Sequence, residues 1–292
     1  MQANTGQNGM RLRISTNEEI AGFAKLVRDA YADHDIMLPP DSQVAKYAEA
    51  AEKLSAAKAS GKNLADWGKE KYIEVVADVM ECQRLATAIK WAREKTQFVQ
   101  YLPRLLKGGI DPTEKKRTVA KDLCFELKTL EMFEAAGIPA DLVEPDVVFE
   151  LQGHRIVVAC KSLYSLSNME NQVRKATRQI VRTDQRGLIA LSIDQVVRMR
   201  ELMDVEDEAE FQNRIESVAI GFAKKYDTSF ARWITKRQVI GLLISLSTLT
   251  NLRREHVHAS AQFVVIQNRC SEQSPYFRII RELDRRLLNR IV

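Results

Sequence analysis

The chain has 292 residues, 45% of them hydrophobic, and a formal net charge of +5. That length buries a sizeable core and suits one large or two modest domains, while the mild positive charge permits a polyanionic partner without demanding one. Its four cysteines, Cys82, Cys124, Cys160 and Cys270, lie far apart, with no C-x-x-C pair and no histidines at zinc-finger spacing, which points to a reducing compartment.

The opening MQANTGQNGMRLRIS lacks the apolar run of a signal peptide, and the longest apolar stretch, Val239 to Leu246, is too short to span a bilayer. A soluble, cytoplasmic protein without a membrane partner is expected. Up to Gly109 the pattern is helical. Asn17 with Glu18 and Glu19 starts a helix whose apolar positions Ile20, Phe23, Ala24, Val27 and Tyr31 recur at three and four. Pro39-Pro40-Asp41-Ser42 caps a second, Ala-rich helix ending near Ser60-Gly61. A long third helix is predicted from Asn63 through Trp67, Tyr72, Val76, Met80 and Leu85 to Trp91 and beyond, closed by Gly108-Gly109. Residues 1–109 thus form a helical region in which the tryptophans and Met80 read as bundle core, and the rest, 110–292, forms a second domain.

Asp111-Pro112-Thr113-Glu114 has the form of a helix start: a capping Asp, Pro at the first helical position and an acid in the first turn. The predicted helix carries Leu123, Leu127 and Leu130 on one stripe and ends at Gly137, with Glu126 close to that stripe. A carboxylate at an apolar edge needs a partner, and the residues four before and four after, Asp122 and Leu130, supply no cation. The alternatives are a shared metal, or solvent or a basic residue from another element.

The segment from Glu144 to Lys161, EPDVVFELQGHRIVVACK, reads as a β-hairpin. Val147, Phe149 and Leu151 alternate with Asp146, Val148 and Glu150, and Ile156-Val157-Val158 follows Gln152-Gly153-His154. Alternation puts Asp146 near the start of one strand, with position 159 and Lys161 on one face at the far end of its partner. This resembles the PD-(D/E)xK nuclease superfamily, in which a Pro-Asp opening one strand is answered by an acid-x-Lys closing the next. Here the match is Pro145-Asp146 and Ala159-Cys160-Lys161, with Ala159 in place of the acid. The resemblance runs from about Val119 to Asp194: Glu126 in the preceding helix, Gln179 in the following helix, then the strand Gly187 to Asp194. It implies a restriction-endonuclease-like α/β fold, a mixed β-sheet core flanked by helices.

Phosphodiester hydrolysis needs a hard cation, Mg²⁺ or Mn²⁺, to activate water and neutralise the phosphate, and Mg²⁺ takes one or two carboxylates plus waters. In the nuclease reading Asp146 is the first ligand, with Glu126 contributing directly or through water. Lys161 orients or deprotonates the water and stabilises developing charge. The resemblance further implies the backbone carbonyl of Cys160 as a ligand, with the Cys160 side chain pointing into the core beside Val158. Taken singly, Asp146 also reads as a turn residue and Lys161 as a solvated strand end.

For the missing acid, Glu150 is excluded, being four residues along the strand from Asp146, about 13 Å. Glu170, at the start of the next helix, is a candidate, but Ser167-Asn168-Met169-Glu170 is a capping-box sequence that explains it without a metal. One change, Ala159→Glu, would complete the pattern, and natural loss or replacement of the acid remain open.

The following helix offers a nucleic-acid surface. Arg174, Arg178 and Arg182 recur every four residues beside Lys175, opposite the apolar stripe Val173, Ala176 and Ile180. From Asn171 to Arg200 there are seven basic and two acidic residues, a local net of +5. Such contacts position a phosphate backbone without reading sequence. Gln179 is where the superfamily often places a polar residue that approaches the site.

Beyond Asp194 helices return, with an acidic run from Asp204 to Glu210. Two further strands follow, Val239 to Leu246 and Ala261 to Gln267, with His256-Val257-His258 read as a surface loop between them. A last helix from Ser274-Pro275 to Arg290 carries Arg281, Arg285 and Arg286. The sequence therefore reads as a Mg²⁺-dependent nuclease acting on DNA, of restriction, phage-defence or repair type. The alternative is an inactive nuclease-fold scaffold that binds nucleic acid or a protein. In a third reading the helical N-terminal region works as a homo-oligomerisation or partner-docking module.

Overall fold

The computed structural model describes residues 17–61, 64–111, 116–197, 204–252 and 257–288. The chain divides into two compact units, one running to Glu131 and the other formed from Met132 onward. The division falls within a helix, later than the change of pattern at Gly109. Among the described residues no helix is long and apolar enough to cross a membrane.

The first unit is helical. α1 (Asn17–Ala32), α2 (Gln43–Ala59) and α3 (Lys69–Ala92) pack on one another around Val27, Val44, Ala48, Ala51, Leu85 and Ile89. Ser42 caps α2 as expected, its Oγ accepting from Ala45 N at 3.2 Å. The single long helix expected from Asn63 to Gly108 is broken. Asn63 lies outside the described residues, a short turn covers Leu64–Trp67, and Gly68 then takes φ 73°, a left-handed value that interrupts the helix. After α3 ends at Ala92 the chain makes separate turns before the short α4 (Leu102–Leu105). Met80 is buried as expected of bundle core, but Trp67 and Trp91 are only half-buried.

α5 (Val119–Ala135) begins later than Asp111-Pro112-Thr113-Glu114 suggests. Residues 112–115 lie outside the described residues and 116–118 are not helical. Thr118 takes over the capping role, its hydroxyl accepting from Lys121 N at 3.1 Å and donating to Gly109 O at 2.7 Å.

The second unit is a mixed α/β arrangement around a seven-stranded sheet. β1 (Ala140–Val143), β2 (Asp146–Leu151) and β3 (His154–Ser162) form an antiparallel meander. The β2–β3 turn is Gln152-Gly153, both at positive φ (52° and 74°), the requirement of a two-residue hairpin turn whose twist matches its strands. After α6 (Met169–Arg182), β4 (Gly187–Ser192) lies parallel to β3. β5 (Asp204–Val205) and α7 (Glu208–Trp233) follow, and β6 (Val239–Leu252) lies parallel to β4. β5 pairs with the far end of β6, β7 (Val257–Asn268) pairs antiparallel with β6, and α8 (Pro275–Leu288) closes the chain.

All six residues of β4 are buried, as in a central parallel strand covered on both faces. Val157, Ala159, Ile189, Leu191, Leu242 and Ile244 on one face meet Val173, Ala176 and Ile180 of α6 and Phe211, Ile215 and Phe230 of α7. On the opposite face Phe149 packs on Phe133, with ring centroids 4.5 Å apart, and Gly241 approaches Ile280 of α8. The acidic run ending at Glu210 caps α7. Asp207 Oδ1 accepts from Glu210 N at 2.9 Å, and Glu210 Oε2 accepts from Glu206 N at 2.6 Å. β6 and β7 are longer than the two apolar runs, because their polar continuations pair as far as Leu252 and Val257. His256 lies outside the described residues, and His258 pairs with Asn251 in the ladder instead of lying in a loop.

Candidate functional site

β3 is longer than β2, and the site forms where its neighbour ends. The β2–β3 ladder ends at the Val147–Val158 pair, with Ala159 at the next position on β3 and Asp146 at the next on β2. Before it, Glu144-Pro145, joined by a cis peptide, turns the chain back to β1. At Cys160, just past the last pair of that ladder, side chains reach the backbone groups. Its N–H donates to Asp146 Oδ2 at 2.6 Å, and its carbonyl accepts from Lys161 Nζ at 2.5 Å. Lys161 Nζ also lies 3.3 Å from Asp146 Oδ2. The pair is mostly covered, with side-chain exposures of 16% for Lys161 and 12% for Asp146.

Burial pushes the Asp146 carboxyl up to about 6, against the opposing pull of the Lys161 ammonium and the Cys160 N–H. The Glu144 carboxylate pushes in the same direction as burial. The two oxygens, Asp146 Oδ2 and Cys160 O, converge on one ammonium. They are the hard donors Mg²⁺ prefers, and Lys161 stands where a cation would sit.

The remaining expected residues are placed as follows. Ala159 is fully buried in the apolar cluster with Val148, Val157, Ile189 and Leu191. Cys160 is buried on the opposite face, as is Val158. Glu126 belongs to the first unit, where its carboxylate accepts from the Tyr101 hydroxyl at 2.8 Å. Glu170 Oε1 takes the Arg174 Nε at 2.8 Å on the surface, and the capping role goes to Ser165, whose Oγ accepts from Asn168 N at 3.3 Å. The expected capping box at Ser167 is not formed, because a short helical turn, Leu166–Asn168, precedes α6.

Arg174, Lys175, Arg178 and Arg182 lie on the exposed face of α6, with Val173, Ala176 and Ile180 buried beneath. Gln179 lies near the end of α6, half-buried, and its Oε1 is buried with no hydrogen-bond partner among the described residues. Its neighbour Ile180 packs beside Gly187 and Val157, about 13 Å along β3 from Lys161. Gln172, near the start of α6, is buried and was not singled out in the sequence; its spacing of one turn from Met169 on the inner face is the signal that marks it.

Among the described residues no group of three or more His, Cys, Asp or Glu side chains could hold a metal ion. One carboxylate and one carbonyl fit a cation that keeps most of its water, and nothing in this donor set would hold a dehydrated ion tightly. Comparison with protein-family models, curated proteins and solved structures finds no match.

Proposed function

We propose that the chain is a Mg²⁺-dependent nuclease with a restriction-endonuclease-like core, acting on DNA. The observation that carries this reading is the convergence of Asp146 Oδ2 and Cys160 O on the Lys161 ammonium at the end of β3. An acid, a carbonyl and a lysine at the carboxyl ends of parallel strands are the parts phosphodiester hydrolysis requires, and open α/β sheets bind ligands at that edge. Asp146 and the Cys160 carbonyl would hold the cation, which supplies charge neutralisation and an activated water. Lys161, displaced from Asp146, would then donate to the phosphate and stabilise its developing charge. The exposed arginines of α6 would meet the phosphate backbone.

A second reading is favoured by Ala159. With its methyl group sealed in the apolar cluster, the usual second acid is absent, and Asp146 is satisfied by protein groups alone. On that reading the chain is a catalytically silent scaffold that binds nucleic acid or a protein.

Cleavage of supercoiled and linear DNA in Mg²⁺ and Mn²⁺, run beside binding of a labelled duplex in EDTA, separates the two. Metal-dependent cleavage abolished by Asp146→Asn and by Lys161→Met supports the nuclease. Binding without cleavage in either metal supports the scaffold, and neither binding nor cleavage removes both.

A further inference from the structure

At the opposite end of the parallel strands lies a cavity of about 380 Å³ lined by Arg155, Asp184, Gln185, Arg186, Gln238 and Tyr276. That volume is within the range of small-molecule sites. Arg155 is six residues before Lys161 on β3, so the cavity is roughly 20 Å from the acid–lysine pair. The walls come from four separated segments, each held by backbone bonds. Val157 N donates to Arg186 O at 3.0 Å, and Gly187 N donates to Gln238 O at 2.9 Å. Thr183 Oγ1 donates to Ile180 O at 2.7 Å and accepts from Gln185 N at 3.3 Å.

The lining has a defined chemistry. The Arg186 guanidinium donates to Arg237 O and lies over the Tyr276 ring, 5.5 Å from its centroid. The His154 ring meets Tyr276 edge-on at 5.3 Å. Arg155 is exposed, and its side chain makes no hydrogen bond or ion pair among the described residues. Tyr276 is the second residue of α8, so the positive end of that helix is at the cavity. Gln185 Oε1 is buried beneath the lining and has no hydrogen-bond partner among the described residues.

We infer that this cavity binds a nucleotide. Arg155, Arg186 and the helix end supply the charge for a phosphate, and Tyr276 supplies an aromatic wall for the base. The exposed Asp184 carboxylate, which lines the cavity, accepts from ribose hydroxyls or an exocyclic amine. A bare anion satisfies the arginines but leaves the Tyr276 ring and the Asp184 carboxylate unused. The same chemistry is available from a free mononucleotide or from the terminal nucleotide of a strand.

Calorimetric titration of the full chain with AMP, inorganic phosphate, ribose 5-phosphate and a 5′-phosphorylated single-stranded oligonucleotide tests the assignment. AMP binds saturably with a Kd below about 1 mM, and phosphate and ribose 5-phosphate bind at least roughly tenfold more weakly. Arg155→Gln, at an exposed strand position, weakens AMP about tenfold or more without changing thermal stability. If the oligonucleotide binds more tightly than AMP and loses the same factor in Arg155→Gln, the ligand is a strand terminus; if AMP binds at least as tightly, it is the free nucleotide. No saturable AMP binding, equal affinity for inorganic phosphate or ribose 5-phosphate, or an Arg155→Gln variant that binds AMP as the parent does overturns the site. Asp146→Asn leaves AMP affinity unchanged, so this result stands apart from the fate of the nuclease reading.

Discussion

Asp146 and Ala159 occupy the next positions on β2 and β3 beyond Val147–Val158, the last pair of their ladder. Opposed residues in such a ladder have Cβ atoms about 4.5–5.5 Å apart, so an acid at 159 would face the Asp146 carboxylate at a spacing a single cation can bridge. On the nuclease reading, Ala159 leaves such a cation a single carboxylate, that of Asp146. The Ala159 side chain is sealed by Val148, Val157, Ile189 and Leu191, so a Glu there enters an apolar cluster beside a like charge. Ala159→Glu is expected to lose about 2 kcal/mol of stability in EDTA and to regain much of it with excess Mn²⁺, together with a gain in metal-dependent cleavage. Urea melts with and without Mn²⁺ make the comparison; equal midpoints would remove the shared cation site.

The Asp146 carboxyl gives the fold a pH signature. Its folded value of about 6 lies above the ordinary 3.8, so the folded state binds this proton more tightly than the unfolded chain does. The associated stability is fully present below 3.8 and is lost as pH rises through about 6. The stability of the parent relative to Asp146→Asn should therefore fall across that window, by an amount on the order of 2 kcal/mol in metal-free buffer. Excess Mg²⁺, which binds the ionised acid, should shrink the fall. A difference that stays flat across the window would show that Lys161 and the Cys160 N–H offset the burial.

The hairpin was legible because Val147, Phe149 and Leu151 alternate cleanly and Gln152-Gly153 tolerates the positive φ that a two-residue turn demands. The exposed stripe of α6 was legible for the same kind of reason, a regular period. What escaped depends on partners distant in sequence. β1 is only four residues long and takes its identity from pairing with β2, and the polar ends of β6 and β7 are strand because each satisfies the other's backbone. Glu126 looked unpaired because its hydroxyl donor, Tyr101, is 25 residues away, beyond any helical spacing. The Arg155–Tyr276 cavity collects residues from four segments and has no local signal.

At Gly187, on β4, neighbouring groups of β3 and α6 crowd the backbone. A Cβ there would lie 2.7 Å from Val157 O and 2.9 Å from Ile180 Cγ2, and a backbone carbonyl within the ladder has little room to retreat. Gly187→Ala should cost about 2 kcal/mol by urea denaturation. Because Arg186 and Gln185 precede this residue, AMP binding should weaken along with stability. A variant as stable as the parent would mean that the β3–β4 spacing can widen without penalty.

The arginines of α6 are not equivalent, and if the stripe meets nucleic acid their contributions should differ. Arg174 is engaged by Glu170, with Nε 2.8 Å from Oε1, so a phosphate must compete with a carboxylate already in place. Arg178 spends only a long bond, 3.4 Å, on the Arg174 carbonyl, and Arg182 is exposed without a side-chain partner among the described residues. Each phosphate contact made by a cation contributes roughly 0.9 to the slope of log affinity against log salt on duplex DNA. Replacing Arg178 and Arg182 with Gln should therefore flatten the slope by about 1.8, weaken every sequence alike, and leave the fold within about half a kcal/mol per site. Adding Arg174→Gln should lower it by less than a further 0.9 or so, because the Arg174 charge is already shared with Glu170. Fluorescence anisotropy of a labelled duplex at several salt concentrations reads both numbers. If the double variant keeps the parent's slope and affinity, the stripe is a solvated helix face and DNA contacts the protein elsewhere.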